Sequence, residues 1–449
     1  MRHRFRLLVA VPALLALLAS CGGGGGSSDA CDLPAQKSWL QGYMDSWYFW
    51  TERSPKPAPE GYATVPDYFK ALLYPGDGAG VPADHWSYIE NSAAFSQFFG
   101  EGKTMGYGVS VNGLEAAATP PQSPALMVRY VEAQSPAATQ GLLRGDTIVS
   151  VNGAPAATLV AANDFSAFSA ANEGDTLTLV VHSDGGAAER TVTLRAATFS
   201  LTPVTGANVF MLRNGKKVGY LAMKDFVSQA EAPLAAALTD FRNQSATELI
   251  VDLRYNGGGL VSTSAALASL IAGNSHGGGV FAQLQFNSHH QDANTAYRLT
   301  STAGAPFSRV VILTGPRTCS ASELLINGLK PYSDVMSVTT IGATTCGKPV
   351  GFSPRQSCGN TYSAVNFKSV NAAGQGDYYN GIAPTCPVAD DFKLRLGDAG
   401  ETLTTMALRY LEDGQCPAMM AGTAQISSVR APSVLRGIEP GERQGMWAD

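Results

Sequence analysis

The chain has 449 residues, 45% of them apolar and only 15% charged, with a formal net charge of −5. That length exceeds one ordinary domain and supplies enough apolar residues for a sizeable core. The acidic balance lacks the basic footprint that nucleic acid requires, so no nucleic-acid partner is expected.

The first residues read as an export signal. Arg2, Arg4 and Arg6 precede the apolar run LLVAVPALLALLA, which is short for a membrane span, so residues 1–20 are expected to be a signal peptide. Their loss takes the formal charge from −5 to −8. The run ends in LLASC, which resembles a bacterial lipobox and implies cleavage before Cys21 and lipidation of its thiol. An ordinary signal peptide or an uncleaved anchor is the alternative. Residues 21–30, rich in glycine and serine, would form a flexible tether. The expected location is the bacterial cell envelope, with the membrane as partner through Cys21.

Residues 31–98 read as a helical, aromatic-rich region in which Trp39, Trp47 and Trp50 are core rather than ligand site. Residues 99–200 are β-rich: MGYGVSV, ALMVRYVEA, DTIVSVNG and TLTLVVHS are short runs broken by Gly, Asn and Pro. Over 205–416 strands and helices alternate, from KVGYLAM through AEAPLAAALTDFRNQ, ELIVDLR and STSAALASLIAG to RVVILTG, which indicates an α/β core. Residues 417–449 are small and polar and are expected to form a poorly ordered tail.

Besides Cys21 there are six cysteines, Cys31, Cys319, Cys346, Cys358, Cys386 and Cys416. An even number in an exported chain suggests disulfides, and six allow fifteen pairings. None has the C-x-x-C spacing of a zinc or redox site. A 319–346 bridge would staple those two segments if they meet in space.

The stretch RTCSASE, residues 317–323, has two readings. Ser320 and Glu323 fit the S-x-x-E box that caps a helix, and ELLINGLKPY continues as that helix with Pro331 as its stop. Ser320 could equally be a nucleophile at a helix start, where unpaired backbone N–H groups suit a developing oxyanion. Lys348, in TTCGKPVGF, has no acidic residue within ten positions on either side. Burial there would lower its pKa and make it a base, whereas an exposed turn lysine is the ordinary alternative. The glycines of NGGG, Asn256 to Gly259, allow backbone to approach a substrate closely.

Two resemblances bear on these alternatives. SPAATQGLLRGDTIVSVNG, residues 135–153, resembles the signature of PDZ domains found in bacterial proteases. Gly106, Tyr107, Gly108 and Val109 would then receive a peptide as an added strand. Over about residues 100–412, that signature with LIVDLRYNGGG, RTCSASE, TTCGKPVG and YNGIAP resembles the carboxyl-terminal processing, or tail-specific, peptidases of family S41. The resemblance implies a crotonase-like core of ββα spiral type and a multidomain chain with no metal or organic cofactor. Ser320 would be the nucleophile, Lys348 its base, and the N–H groups of Ala321 and of Gly257 or Gly258 the oxyanion hole. Glu323 would brace the turn or, alternatively, the lysine. Polypeptides with accessible C-termini would be the substrates. One residue departs from the pattern: many members carry a glutamine four residues after the lysine, where this chain has Phe352. A non-catalytic envelope lipoprotein that binds peptide tails is the rival reading. A Ser-His-Asp hydrolase lacks its G-x-S-x-G elbow, and His289 and His290 sit in a polar, loop-like stretch.

Overall fold

In the computed structural model the described residues are 31–417, without 79, 119, 120, 122, 124 and 184–187, together with 445–448. Residues 1–30, and with them the signal, the tether and Cys21, lie outside the described residues. Among the described residues no helix is long and apolar enough to cross a membrane.

A six-stranded sheet organises the C-terminal half. Its strands run in the order Val204–Met211, Lys217–Met223, Ala246–Asp252, Arg309–Thr314, Ser337–Gly342 and Cys386–Pro387. The first pair is antiparallel and the others are parallel. Strand side chains alternate between faces, and the two faces bury different partners. Leu249, Val251, Val310 and Ile312 pack under helices Glu231–Asn243, Val261–Ala272 and Ala321–Leu329. Ile250, Val311 and Leu313 pack against helix Thr402–Asp413. A second sheet, ordered Thr295–Arg298, Val280–Phe286, Phe367–Val370 and Val350–Gly351, stands beside the first.

The β-rich segment forms a domain of its own around Leu177, Leu179, Val181 and Leu194. Ser135 caps the short helix Pro136–Thr139 by accepting the N–H of Ala138. Ion pairs fasten the domain to the core. Arg144 reaches Asp390 at 2.6 Å, and Arg317, three residues before Ser320, pairs with Glu115.

The N-terminal region departs from an all-helical reading. Helices Leu33–Trp47, Val65–Ala71 and Ser92–Phe99 are present, but Tyr88–Asn91 is a strand, antiparallel to Asn360–Ser363 of the core. The aromatics are packed as expected: Trp50 stacks on Tyr74 and Trp47 on the ring of His290. Their cluster also takes in Val350, Phe352, Tyr362 and Val365 of the core. All six cysteines pair, as Cys31–Cys358, Cys319–Cys346 and Cys386–Cys416.

The tail also departs from expectation. Residues 418–444 lie outside the described residues, but Gly445–Trp447 is a buried strand, parallel to Gly258–Leu260. Three residues in a small, polar stretch carry no periodicity by which a strand could be recognised.

Candidate active site

Sheet strands deliver the site residues at their C-terminal ends. Strand Ala246–Asp252 leads through Arg254 into the glycine run, and strand Arg309–Thr314 leads through Arg317 to Ser320. The first turn is held by a buried network. Arg254 bonds both carboxylate oxygens of Glu401, at 2.5 and 2.9 Å, and Asp252 at 2.9 Å. Asn256 then fixes the loop: its amide donates to Met223 O, and its Oδ1 accepts Gly258 N–H at 2.8 Å.

The glycine run is tightly flanked. Gly259 has φ +139, and a Cβ there would stand 2.0 Å from the Phe226 carbonyl oxygen. Only glycine tolerates both the dihedral and the approach. Of the two glycines expected to supply an oxyanion donor, Gly258 has its N–H engaged by Asn256. That leaves Gly257. Ala321 is the first residue of its helix, where the N–H has no intrahelical partner.

Ser320 is fully buried, with φ +61 and ψ −110. A non-glycine residue in that region carries strain, of order 1–3 kcal/mol, and such outliers are held by their surroundings. Its Oγ has no hydrogen-bond partner among the described residues. The capping geometry expected from S-x-x-E is therefore present on its carboxylate side: Ser320 N–H donates to Glu323 Oε2 at 2.9 Å. Ser322 is occupied elsewhere, its hydroxyl bonding Asn256.

Glu323 does more than brace one turn. Its Oε2 also accepts the N–H of Lys348 at 2.8 Å, while Oε1 accepts Gly347 N–H at 2.8 Å and the Thr345 hydroxyl. One carboxylate oxygen thus ties the backbones of Ser320 and Lys348 together. The Cys319–Cys346 disulfide joins the same two segments beside that carboxylate, with Cys346 Sγ 3.4 Å from Glu323 Oε2. Burial raises the pKa of Glu323, against the lowering effect of its four hydrogen bonds. Cys319, Glu323 and Cys346 lie close enough to suggest a metal cluster, but both sulfurs are in the disulfide and offer no thiolate.

Lys348 is buried, with its pKa pushed down to about 7. Desolvation is the dominant cause, partly opposed by the negative charges of Asp84 and Glu323. One of the surrounding groups, Asp84, carried no sequence signal; the other is Phe352. Asp84 comes from the N-terminal region, where it accepts from Tyr48, Trp86 and Ser87. Phe352, standing where a glutamine was expected, places its ring 4.0 Å from the Lys348 Nζ. The fourth motif, YNGIAP, backs the lysine turn: Ile382 N–H donates to Thr345 Oγ1 at 2.7 Å.

Gly106, Tyr107, Gly108 and Val109 line a cleft together with Phe168–Ala170. The side chains of Tyr107 and Val109 belong to the PDZ core, so what they offer the cleft is backbone. Lys224 and Asp225 of the core also line it. The next residue, Phe226, bonds Gly258 O and Leu260 N, so the cleft leads toward the glycine run. Glu132 lies there too, its pKa raised to about 7 by burial and then by Asp225.

Comparison with known proteins gives the class first. Residues 217–388 match the model of peptidase family S41, residues 35–88 that of the peptidase S41 N-terminal domain, and residues 127–181 a PDZ domain. The chain belongs to peptidase family S41. A carboxyl-terminal-processing protease of Picosynechococcus sp. is 27% identical over 249 residues, 55% of each chain. The protein of the same name from Synechocystis sp. is 28% identical over 247 residues, 55% of this chain and 53% of that one. The chain therefore spans about half the length of the curated relatives it matches. A solved structure from Bacteroides fragilis NCTC 9343, assigned to the S41 proteases, has a TM-score of 0.64 at 24% identity, over 83% of this chain and 96% of that one. At that identity the likeness is one of fold.

Proposed function

We propose that the chain is a serine endopeptidase in which Ser320 attacks and Lys348 is its base. The observation that carries this reading is a buried lysine with a pKa of about 7, its backbone tied through one carboxylate oxygen to the backbone of a serine whose hydroxyl has no hydrogen-bond partner among the described residues. A neutral amine accepts the hydroxyl proton as Ser320 Oγ bonds to the substrate carbonyl carbon. The N–H groups of Ala321 and Gly257 receive the oxyanion. Collapse returns the proton from Lys348 to the leaving amine and leaves an acyl-enzyme. Water, deprotonated by the same lysine, then releases the new carboxylate and frees Ser320.

The substrates are polypeptides with accessible C-termini, taken by the Gly106–Val109 edge as an added strand and led past Lys224 to the glycine run. Gating of the site by movement of the PDZ domain is part of this reading, with Arg144–Asp390 and Arg317–Glu115 as the contacts that would break. The protein acts in the cell envelope, anchored by lipid at Cys21.

The test is cleavage of a loosely folded protein ending in a free apolar tail, by residues 31–449 and by Ser320→Ala and Lys348→Ala. Cleavage by the parent alone supports the dyad, and equal cleavage by all three refutes it. No cleavage with peptide still bound favours a binding lipoprotein.

A further inference from the structure

The strand Gly445–Trp447 lies between the two segments that the proposed chemistry requires. On one side it runs parallel to Gly258–Leu260, and its Gly445 N–H donates to Gly257 O at 2.9 Å. On the other it bridges the segment that follows Lys348. Phe352 N–H donates to Met446 O at 2.7 Å, and Ala448 N–H donates to Phe352 O at 2.9 Å. Both edges are thus satisfied by backbone alone, which is how an extended peptide is held by strand addition whatever its sequence.

Its position relative to Ser320 is close. A Cβ built on Gly258 would stand 2.1 Å from the Gly445 carbonyl oxygen and 3.0 Å from Ser320 Cβ, so both crowd the same face of that glycine. Side chains supply the selectivity. Met446 is fully buried in the main core. Trp447 packs its indole 4.5 Å from Phe99 and 5.9 Å from Phe352. Gly445 has no room for a side chain, since a Cβ there would meet the Trp447 ring at 2.2 Å.

We infer that the groove between Gly257–Leu260 and Val350–Phe352 is an acceptor for an extended peptide reading small, apolar, aromatic, and that residues 445–448 occupy it in cis. This rests on the proposed peptidase reading for the identity of the groove as the substrate's. A tethered occupant competes at an effective concentration in the millimolar range. Untethered peptides therefore meet a filled groove until the segment leaves.

The probe is the labelled pentapeptide Gly-Met-Trp-Ala-Asp, the sequence of residues 445–449. Binding is followed by anisotropy to two Ser320→Ala chains, one ending at residue 449 and one at residue 444. The expected result is binding to the shorter chain at least about tenfold tighter than to the longer one. Replacing Met and Trp of the peptide by Ser should abolish it. With Ser320 restored, the shorter chain should cleave a peptide substrate faster, again by about tenfold or more. Gly445→Val in the longer chain displaces the strand without shortening the protein and should reproduce the gain in binding. Equal binding to both chains refutes the inference. So does a loss of folding in both the short chain and Gly445→Val, which would make the strand a structural part. Binding that switches as expected without cleavage in the Ser320 chains would leave the groove standing and refute the dyad instead.

Discussion

The pH dependence of cleavage is the sharpest consequence of the buried lysine. Its pKa falls from an ordinary 10.5 to about 7, which corresponds to about 5 kcal/mol of preference for the neutral amine. At pH 7 about half of the molecules then hold Lys348 as a base, against on the order of one in three thousand for an unperturbed lysine. The value of kcat/KM, which reports the free enzyme, should rise about tenfold per pH unit below pH 7 and level off above it. Asp84→Asn removes a charge that favours the ammonium, so the limb should move to lower pH. His85→Gln, His290→Gln and Glu132→Gln should leave it in place. The last control matters because Glu132 is also raised to about 7, but in the PDZ cleft. Stability gives an independent reading with a definite sign. The folded pKa lies below the unfolded one, so between about pH 7 and 10.5 the unfolded chain binds more protons and stability rises with pH. Below pH 7 the full burial penalty is present. Lys348→Met should therefore raise Tm at pH 7, with an advantage that shrinks toward pH 10. A rate limb near pH 10, a flat profile, or a limb abolished by one of the His or Glu132 variants would refute the assignment.

Glu323→Ala leaves three buried N–H groups and the Thr345 hydroxyl without their acceptor. At about 1–3 kcal/mol each, it should lower unfolding free energy by several kcal/mol in denaturant titration. Gly259→Ala places a Cβ against the Phe226 carbonyl and should cost at least a hundredfold in kcat, on the scale of a misplaced oxyanion donor, measured beside Gly215→Ala, where nothing lies within 4 Å. Reduction of Cys319–Cys346 opens a link across 27 residues, worth about 3–4 kcal/mol in the chain-entropy account. Cleavage should fall with its loss, as followed by thiol titration, and return on reoxidation. Phe352→Ala removes a fully buried ring beside Lys348. It should cost about 3–5 kcal/mol of stability and move the acid limb, whereas Phe352→Tyr should keep the limb near 7.

Much of the site was readable because its parts are contiguous in sequence. Ser320, Lys348 and the glycine run each sit in a short motif whose residue types follow from local needs: a helix start, a tight turn, a close backbone approach. Strands such as Ala246–Asp252 and helices such as Val261–Ala272 were legible through their apolar runs. What escaped reading is what only tertiary folding brings together. Asp84 is 264 positions from Lys348 in the chain, and its local sequence, ADHWSYI, satisfies an ordinary Asx turn. Nothing there points to a lysine. Tyr88–Asn91 passes directly into helix Ser92–Phe99 with no Gly or Pro between, so the helical pattern absorbed it. Gly445–Trp447 is fixed by partners on both sides rather than by any preference of its own three residues.

Phe352 brings these long-range parts to one point. A glutamine there would hold the lysine by a hydrogen bond, whereas a ring can hold it only by shape and by its π face. That face attracts the ammonium, as do Asp84 and Glu323, so all three work against neutral Lys348. Burial outweighs them, and the burial has identifiable sources. Phe352, Val350 and Trp447 belong to one cluster with Tyr48, Trp50, Trp86 and Phe99. Phe352, the ring against Lys348, is thus packed in one cluster with the N-terminal region and with Trp447 of the strand in the groove. Two consequences follow from that construction. An N-terminal region pulled away from the core, as by opening Cys31–Cys358, should return the Lys348 pKa toward its ordinary value. Departure of the 445–448 strand should act the same way until a substrate refills the groove, so that the base would reach its full strength only with a peptide in place.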